Sequence, residues 1–216
     1  MGKQPGKDRT PGGGKDTYET DPEFYKIVDY EFYFGLDCSA NEKNAKCSVY
    51  ITKEQNAILV DWLKLFWAKC PPNSSIWNNP PYGHGLIQEF LRKSWQISQK
   101  GQTAVLLVHT CTDTKYWNDW VWDKAAEVRH IKGRLPFWSD VPDKYGRLGN
   151  TSDLPHSLIV YRPNYLGRTY QSTWDWKADY MCRFNAIPVR NRKTREIMHY
   201  LTSDNIKIKP EDWPHD

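Results

Sequence analysis

Several features that would point to other classes of protein are missing from this 216-residue sequence. No apolar run approaches the roughly 18 to 20 residues that cross a bilayer, so we expect no membrane-spanning segment. Residues 1–15 hold no apolar stretch, so we expect no signal peptide. The five cysteines lack the spacing of a zinc site, and no two histidines have metal-ligand spacing. We therefore expect no disulfide framework and no metal site, and a cytoplasmic location.

Charge and aromatic content narrow the choice further. Lys and Arg total 30, and Asp and Glu total 26, which gives a formal net charge of +4. This mild excess permits an anionic partner without requiring one. The chain holds 7 Phe, 11 Trp and 13 Tyr, and 39% of its residues are hydrophobic. That content is adequate for one folded domain and argues against disorder over most of the chain.

The apolar pattern alternates between strands and helices. Residues 1–16 are rich in Gly, Lys and Pro, as is typical of a flexible leader. The first predicted helix starts at Asp21-Pro22. Further helices are predicted over 52–69, 84–101 and 113–126 and around 193–202. The predicted strands lie at 32–40, 74–83, 103–110, 127–133 and 157–163, with a long loop over 134–156. This alternation predicts an α/β fold with a mostly parallel central sheet.

The tetrapeptide Asn79-Pro80-Pro81-Tyr82 is the most informative motif. Two consecutive prolines continue neither a strand nor a helix, so they fix the backbone in a rigid corner. At the carboxyl end of a strand in an open α/β sheet, such a corner faces the ligand crevice. It presents two acceptors, the Asn79 side-chain oxygen and the Pro80 carbonyl, beside the aromatic face of Tyr82. These groups suit a flat acceptor molecule that carries an amino group.

Methyl transfer to the exocyclic amine of adenine fits this set of groups. The lone pair of an aromatic amine is delocalised into the ring, and two acceptors on its hydrogens bias the nitrogen toward tetrahedral geometry. The sulfonium methyl of S-adenosylmethionine can then be attacked in line, with catalysis from positioning and fixed dipoles rather than from a strong base. In duplex DNA the adenine must be flipped out, and Tyr82 would replace its lost stacking.

Several segments, taken in order, resemble the phage-type (Dam-like) DNA N6-adenine methyltransferases. They are TDPEFYKIVDYEFYFGLD, DCSANEKNAKC, YITKEQNAILVDW, WNNPPYG, LLVHTCTDTKYW, EVRHIKGRLPF and PHSLIVYRP. The resemblance implies a Rossmann-like, S-adenosylmethionine-dependent methyltransferase domain over residues 17–163, with helices on both faces of the sheet. It leaves 164–216 as an aromatic and basic C-terminal extension that packs on the domain or contacts DNA. It also implies a phage- or prophage-encoded enzyme of the bacterial cytoplasm, acting on DNA as a monomer or weak homodimer.

Cofactor contacts are expected where the first predicted strand ends. There Asp37 offers a carboxylate to the ammonium or a ribose hydroxyl of the cofactor, and small residues let the backbone approach the methionine portion. A solvated strand end for Asp37 is the alternative interpretation. Thr20 and Pro22 resemble the early Thr-Pro element of the family, which implies that they border the methionine pocket. Helix capping alone is the alternative interpretation of these two residues. The predicted cofactor-binding residues are Thr20, Pro22, Asp37, Cys38, Ser39, Ala40 and Asn79.

DNA contacts are expected where basic and aromatic side chains alternate. The loop after the penultimate predicted strand combines Phe137, Trp138 and Tyr145 with basic residues that suit phosphates, and a second basic run lies near 190–195. The predicted DNA-binding residues are Lys132, Arg134, Lys144, Arg147, Arg190 and Arg192.

Two alternative functions stay open. Methyltransferases that act on RNA or on a glutamine side chain also use an Asn-Pro-Pro-Tyr corner, although the Gly-rich first loop that they usually carry is absent here. A catalytically silent scaffold that binds DNA is the alternative from a different class.

Overall fold

The computed structural model describes residues 18–82 and 85–214, so the predicted leader at 1–16 lies outside the described residues. A seven-stranded sheet forms the centre of this part of the chain. Its strands are β2 (Phe34–Asp37), β3 (Val49–Tyr50), β4 (Ser75–Asn78), β5 (Ala104–His109), β6 (Glu127–Ile131), β9 (His156–Tyr161) and β10 (Tyr170–Trp174). Their order across the sheet is β10-β6-β9-β5-β4-β2-β3.

Strand direction makes this sheet mostly parallel. The pairs β10–β6, β5–β4, β4–β2 and β2–β3 are parallel, whereas β9 runs antiparallel to both β5 and β6. β5 and β9 are buried almost along their whole length, as strands covered on both faces must be. The prediction of an α/β fold with a mostly parallel central sheet is therefore confirmed.

Helices cover both faces of the sheet. They are α1 (Pro22–Phe32), α2 (Trp62–Lys69), α3 (Leu86–Ser98), α4 (Lys115–Trp120) and α5 (Trp176–Phe184). Because side chains alternate along a strand, Val105 and Leu107 of β5 pack in one core with α1 and α5. Leu106 and Val108 pack in the other core with α2, α3 and α4. No helix among residues 18–82 and 85–214 is long and apolar enough to cross a membrane.

The predicted start of the first helix is confirmed. The Asp21 carboxylate accepts hydrogen bonds from the backbone N–H groups of Glu23 and Phe24, at 3.1 and 3.0 Å. Pro22 occupies the first helical position, where its missing N–H costs nothing. Tyr33 ends the helix in a left-handed conformation with φ of 51°, and the chain then enters β2.

Two predicted helices are too long. The pattern over 52–69 predicted one helix, but α2 begins only at Trp62, where the Asp61 carboxylate accepts a hydrogen bond from the Lys64 N–H. Turns precede it, and Asn56 among them has φ of 57°, which a right-handed helix excludes. The helix predicted over 113–126 is limited to α4, because Asp123 also has φ of 57°.

Strands replace two other predicted segments. The predicted loop at 134–156 contains β7 (Pro136–Trp138) and β8 (Gly149–Thr151), which form an antiparallel sheet with β1 (Glu19–Thr20). The helix predicted around 193–202 is wrong, because Arg195 has φ of 67° and forms part of a turn between strands. A second antiparallel sheet contains β11 (Ala186–Arg190), β12 (Ile197–Thr202) and β13 (Lys207–Ile208), and a short 3-10 helix follows at Pro210–Asp212.

The chain after residue 163 continues the central sheet and one of its helical layers. β10 pairs in parallel with β6, from Tyr170 opposite Glu127 to Trp174 opposite Ile131. The Trp176 ring of α5 meets the Phe24 ring of α1 edge-on, with 5.4 Å between the centroids. This part of the chain therefore shares a hydrophobic core with the first helix.

Lys93 of α3 fixes the turns that lead into α2. Its half-buried ammonium donates hydrogen bonds to three backbone carbonyls, those of Ala57, Ile58 and Val60, at 2.7 to 2.9 Å. The ammonium also lies 4.8 Å from the centroid of the Trp62 ring. One charged side chain thus satisfies three acceptors that no helix or strand uses.

Replacement of Lys93 by Met should destabilise the protein, because the Ile58 and Val60 carbonyls lose their donor and the Ala57 carbonyl keeps only the Trp62 indole, while the aliphatic stem is kept. We expect a loss of about 2 to 3 kcal/mol in the free energy of unfolding, measured by urea denaturation. Lys100→Met, at an exposed position just after the same helix, is the control and should change stability by less than about 0.5 kcal/mol. Equal stability of the two variants would contradict this role for Lys93.

Candidate active site

Three neighbouring parallel strands bring their carboxyl ends to one edge of the central sheet. β2 ends at Asp37, β4 at Asn78 and β5 at His109. The backbone N–H of Cys38 donates to the Trp77 carbonyl at 3.1 Å, which ties the turn after β2 to the end of β4. The Asn-Pro-Pro-Tyr corner follows β4 directly, so the structure places it at the same edge as Asp37.

Among the residues that the structure describes, the Asn79 side chain makes one hydrogen bond. Its Nδ2 donates to the hydroxyl oxygen of Thr20 at 3.1 Å, and Thr20 is buried at the end of β1. Its Oδ1 is buried and has no hydrogen-bond partner among the described residues. The amide is therefore oriented by one of its N–H groups while its acceptor is free, which suits a ligand that carries a hydrogen-bond donor.

Asn78 is a further polar residue of this edge that the sequence analysis missed. It is fully buried, and neither its Oδ1 nor its Nδ2 has a partner among the described residues. Because side chains alternate along β4, Asn78 lies on the Ile76 face of the sheet and Trp77 on the other. A buried amide at the last residue of an apolar strand was the available signal, since such groups are rarely left unsatisfied.

Tyr82 lies against the end of β5. Its ring stacks on the His109 ring with 3.8 Å between centroids and 17° between the planes. Its hydroxyl donates a hydrogen bond to the Leu107 carbonyl at 3.2 Å. Burial raises the pKa of Tyr82 well above its usual range, so the hydroxyl stays protonated. The corner residue is thus fixed at its hydroxyl and along one face of the ring.

The stack continues through a second histidine. The His156 ring lies edge-on to His109 with 4.6 Å between centroids, and Phe137 lies 5.1 Å beyond it. Burial lowers the pKa of His109 to about 4. Burial, reinforced by the nearby His109, lowers the pKa of His156 to about 3. Both rings are therefore neutral at neutral pH and behave as flat apolar groups.

Asp37 is buried and held by backbone donors. One carboxylate oxygen accepts from the N–H of Ser39 and the other from the N–H of Lys46, both at 3.1 Å. Burial raises the pKa of Asp37 to about 6, although these hydrogen bonds oppose the shift. The Ala40 N–H donates to the Ile51 carbonyl at 3.1 Å, so the turn that contains Cys38, Ser39 and Ala40 is fixed on both sides.

A cavity of about 330 Å³ lies next to this turn. Most of its lining comes from the residues that follow Ala40 and from Glu19, which precedes Thr20. Pro22 lies at the start of α1, one residue beyond the helix-capping Asp21. The hydrogen bonds from Asn79 to Thr20 and from Cys38 to Trp77, rather than this cavity, bring the predicted residues Thr20, Asp37 and Asn79 to one region, with Pro22 at its border. The lining residues are Glu19, Asn41, Glu42, Lys43, Asn44, Asp140 and Val141.

Two of the predicted DNA-binding residues lie on the hairpin formed by β7 and β8. Lys144 is exposed at its tip beside Tyr145, whose ring is 61% exposed. Arg147 forms an ion pair with Asp143 at 2.6 Å. Lys144 and Arg147 both lie about 5 Å from the centroid of the Tyr145 ring, at 4.9 and 5.0 Å. The tip therefore combines positive charge with an accessible aromatic face.

The other predicted DNA-binding residues lie in the link between β6 and β7 and in the hairpin of β11 and β12. Arg134 is exposed, and Lys132 pairs with Asp175 at 2.7 Å. The Arg192 guanidinium donates to the Thr151 hydroxyl at 3.1 Å. Arg190 pairs with the buried carboxylate of Glu23 at 2.8 Å.

Two comparisons with known proteins point to the same family. A family model described as DNA N-6-adenine-methyltransferase (Dam) matches residues 7–180. A protein of Haemophilus phage HP1 (strain HP1c1), named DNA N-6-adenine-methyltransferase, is 29% identical over 160 residues, which is 73% of this chain and 84% of the phage protein. The family match includes β10 and ends within α5, before β11 begins.

Replacement of His156 by Phe should reduce the dependence of stability on pH. His156 is neutral in the folded protein down to about pH 3, whereas in the unfolded chain it takes up a proton below about pH 6.5. Wild type should therefore lose stability as the pH falls through this window, by about 2 kcal/mol at pH 5 for this residue alone. His156→Phe keeps a ring in the stack and removes that loss.

The measurement is urea denaturation of both proteins at pH 7.5 and pH 5. Titratable groups that do not contact His156 affect both proteins alike, so the difference between the two reports His156 and its contact with His109. We expect the variant to gain about 2 kcal/mol relative to wild type on going from pH 7.5 to pH 5. A relative stability that does not change with pH would contradict a neutral, buried His156.

Proposed function

This chain belongs to the DNA N-6-adenine-methyltransferase (Dam) family, and on that basis we propose that it methylates the N6 amine of an adenine flipped out of DNA, with S-adenosylmethionine as methyl donor. The observation that carries this proposal is the state of the Asn79 amide. Its Nδ2 is engaged by Thr20 while its Oδ1 is buried and unpaired, on a corner whose backbone two prolines hold rigid.

The Asn-Pro-Pro-Tyr corner positions the amine of the base. The Asn79 Oδ1 and the Pro80 carbonyl would accept hydrogen bonds from the two N6 hydrogens, which frees the nitrogen lone pair for methyl transfer without a covalent enzyme intermediate. The methylated amine would then release one N6 proton to solvent. Pro81 keeps these acceptors at a fixed angle, so little reorganisation is needed during the reaction. The target adenine stacks on the face of the Tyr82 ring that His109 does not cover. The neutral His109 and His156 rings support Tyr82 from behind.

The methyl donor fits the turn at the end of β2. S-adenosylmethionine supplies an electrophilic sulfonium methyl when bound, and its methionine portion carries an ammonium group. The buried Asp37 carboxylate is held by two backbone N–H donors, and it suits that ammonium or a ribose hydroxyl. The residues assigned to the cofactor are Thr20, Pro22, Asp37, Cys38, Ser39, Ala40 and Asn79.

The architecture supports the same proposal. Parallel strands that end at one edge, helices on both faces and a single reversed strand inside the sheet are compatible with the Rossmann-like, S-adenosylmethionine-dependent methyltransferase fold. We assign residues 17–163 to the methyltransferase domain and 164–216 to a C-terminal extension, whose first part adds β10 and α5 to the sheet and helical layer of that domain. The pairing of β10 with β6 and the contact of α5 with α1 support that arrangement.

DNA is proposed to bind along the hairpin of β7 and β8. The exposed Lys144 and the Tyr145 ring at its tip offer charge to a phosphate and a stacking surface to an exposed base. Arg134 adds exposed positive charge next to β7. Lys132, Arg147 and Arg192 are proposed as further phosphate contacts, made in competition with their present partners.

Asn79→Ala tests the reaction directly. The variant lacks the side-chain acceptor, so we expect methylation to fall by about 100-fold or more, comparable to the loss of one preorganised polar group in other active sites. The measurement is N6-methyladenine by single-molecule sequencing of DNA from a host that lacks adenine methylation and expresses either protein. Asn118→Ala, at an exposed position on α4, is the control and should leave methylation unchanged.

Unmodified host DNA in the presence of folded wild-type protein would contradict the proposal. Methyl transfer to RNA or to a glutamine side chain in parallel assays would then identify the acceptor. DNA binding without any methyl transfer would identify a silent scaffold.

Cofactor affinity should fall at acidic pH because the Asp37 carboxylate must be ionised to bind the ammonium. The pKa of Asp37 in the free protein is about 6, so its ionised fraction at pH 5 is about one tenth. We expect S-adenosylmethionine to bind about tenfold more weakly at pH 5 than at pH 7.5 by calorimetry. Asp37→Asn should bind weakly at both pH values, with this pH dependence removed.

Asp21→Asn is the matched control for that measurement. Burial and the neighbouring Glu23 raise the pKa of Asp21 to about 6 as well, but its carboxylate caps α1 and accepts from the Trp138 indole. Asn is also an effective helix cap. The Asp21→Asn variant should therefore keep the pH dependence of cofactor binding seen in wild type. If that dependence is lost in Asp21→Asn and kept in Asp37→Asn, the titrating group is Asp21 and the prediction for Asp37 is wrong.

A further inference from the structure

The turn between β11 and β12, residues 191–196, lies against the start of the described chain. The Arg192 carbonyl accepts hydrogen bonds from the backbone N–H groups of Leu148 and Gly149, at 2.7 and 2.8 Å. The Arg195 guanidinium lies over the Trp138 ring, 5.5 Å from its centroid. This turn therefore contacts the sheet that contains β1, although it belongs to a different sheet and lies beyond the residues that the family model matches.

Arg195 is connected to the Asp37 carboxylate of the candidate active site through Glu19 and Lys46. Its guanidinium forms an ion pair with Glu19, whose second oxygen accepts from the Lys46 ammonium at 2.7 Å. The backbone N–H of Lys46 in turn donates to the Asp37 carboxylate at 3.1 Å. Burial alone would raise the pKa of Glu19, but the two cations hold it below its ordinary value. The carboxylate is therefore ionised and held by both partners.

Arg190 makes the second connection. Its guanidinium donates to both oxygens of Glu23, and the shortest of these contacts is 2.8 Å. The Glu23 side chain is 7% exposed, so removal of Arg190 would leave a buried carboxyl without its ion-pair partner. Arg190 also donates to the Arg195 carbonyl at 3.1 Å, which links the two arginines to each other. Glu19 and Glu23 flank Thr20, the residue that orients Asn79.

From these contacts we propose that Arg190 and Arg195 are positioning residues of the active site, which hold Glu19 and Glu23 so that Thr20 and the turn bearing Asp37 stay on either side of Asn79. The inference rests on the proposed function in so far as the site binds S-adenosylmethionine. It assigns to the C-terminal hairpin a part in cofactor binding. It also removes Arg190 from the DNA surface, because movement toward a phosphate would leave Glu23 as an unpaired buried charge.

Arg195→Gln is the variant that tests the proposal without loss of the fold. Glu19 keeps Lys46 as a partner in this variant, whereas Arg190→Gln would leave the buried Glu23 unpaired and threaten folding. Lys193→Gln removes one positive charge from the same turn at an exposed position and is the matched control. Arg195→Lys restores a cation and should recover part of the wild-type behaviour.

Two measurements on the full chain separate this proposal from the proposed function. The first is amide hydrogen exchange of the free protein, which requires no cofactor. We expect Arg195→Gln to accelerate exchange about tenfold in the segments around 19–24 and 37–46, with little change in β5 and β9. The second is the dissociation constant of S-adenosylmethionine, which we expect to rise about tenfold in Arg195→Gln and to stay unchanged in Lys193→Gln.

Each outcome decides a different claim. Unchanged exchange in both segments, or a uniform acceleration over the whole chain, overturns the positioning role. Local acceleration with unchanged cofactor affinity shows a purely structural contact and also overturns it. A wild-type protein that does not bind S-adenosylmethionine contradicts the proposed function, whereas the exchange pattern still decides whether Arg195 holds these segments.

Discussion

The hydrogen bond from the Asn79 amide to Thr20 is the interaction on which the candidate site depends. It joins the corner after β4 to β1, two elements that belong to different sheets. An amide held through its nitrogen directs its carbonyl oxygen away from that contact, so one hydrogen bond fixes which way the Asn79 acceptor points. The short strand β1, the cap at Asp21 and the hairpin of β7 and β8 all serve to place the Thr20 hydroxyl, because Thr20 pairs with Phe137 in their common sheet.

Burial gives the groups around this contact their character. Burial lowers the pKa of His109 and His156, so both rings are neutral and form a flat apolar support for Tyr82. Burial raises the pKa of Asp37 to about 6, close to neutral pH. The same physical effect thus produces a neutral surface for a base and a carboxylate whose charge a cation can stabilise. The two environments lie on opposite sides of β4, because Tyr82 contacts the end of β5 and Asp37 ends β2.

Local sequence patterns predicted the parts of this molecule that local forces determine. The cap at Asp21, the buried strand β5 and the rigid corner at Asn79 follow from a few adjacent residues, and the structure contains each where the pattern placed it. The pairing of His109 with His156 and of Arg190 with Glu23 depends on tertiary contacts between distant residues, which periodicity does not encode. The incorrect helix around 193–202 has the same origin, because pairing with β11 and β13 decides the conformation of β12.

The ion pairs of the C-terminal hairpin have a consequence for how the molecule is assembled. Arg195 and Glu19 are 176 residues apart in the chain, and Arg190 and Glu23 are 167 residues apart. Contacts over such separations form late, because the entropy of closing the loop is lost before the contact contributes. During synthesis from the N-terminus the corner at Asn79 exists long before its final restraint is made. A chain that stops just short of residue 190 would therefore carry every residue assigned to the chemistry and still lack the ion pairs of Arg190 and Arg195 with Glu23 and Glu19.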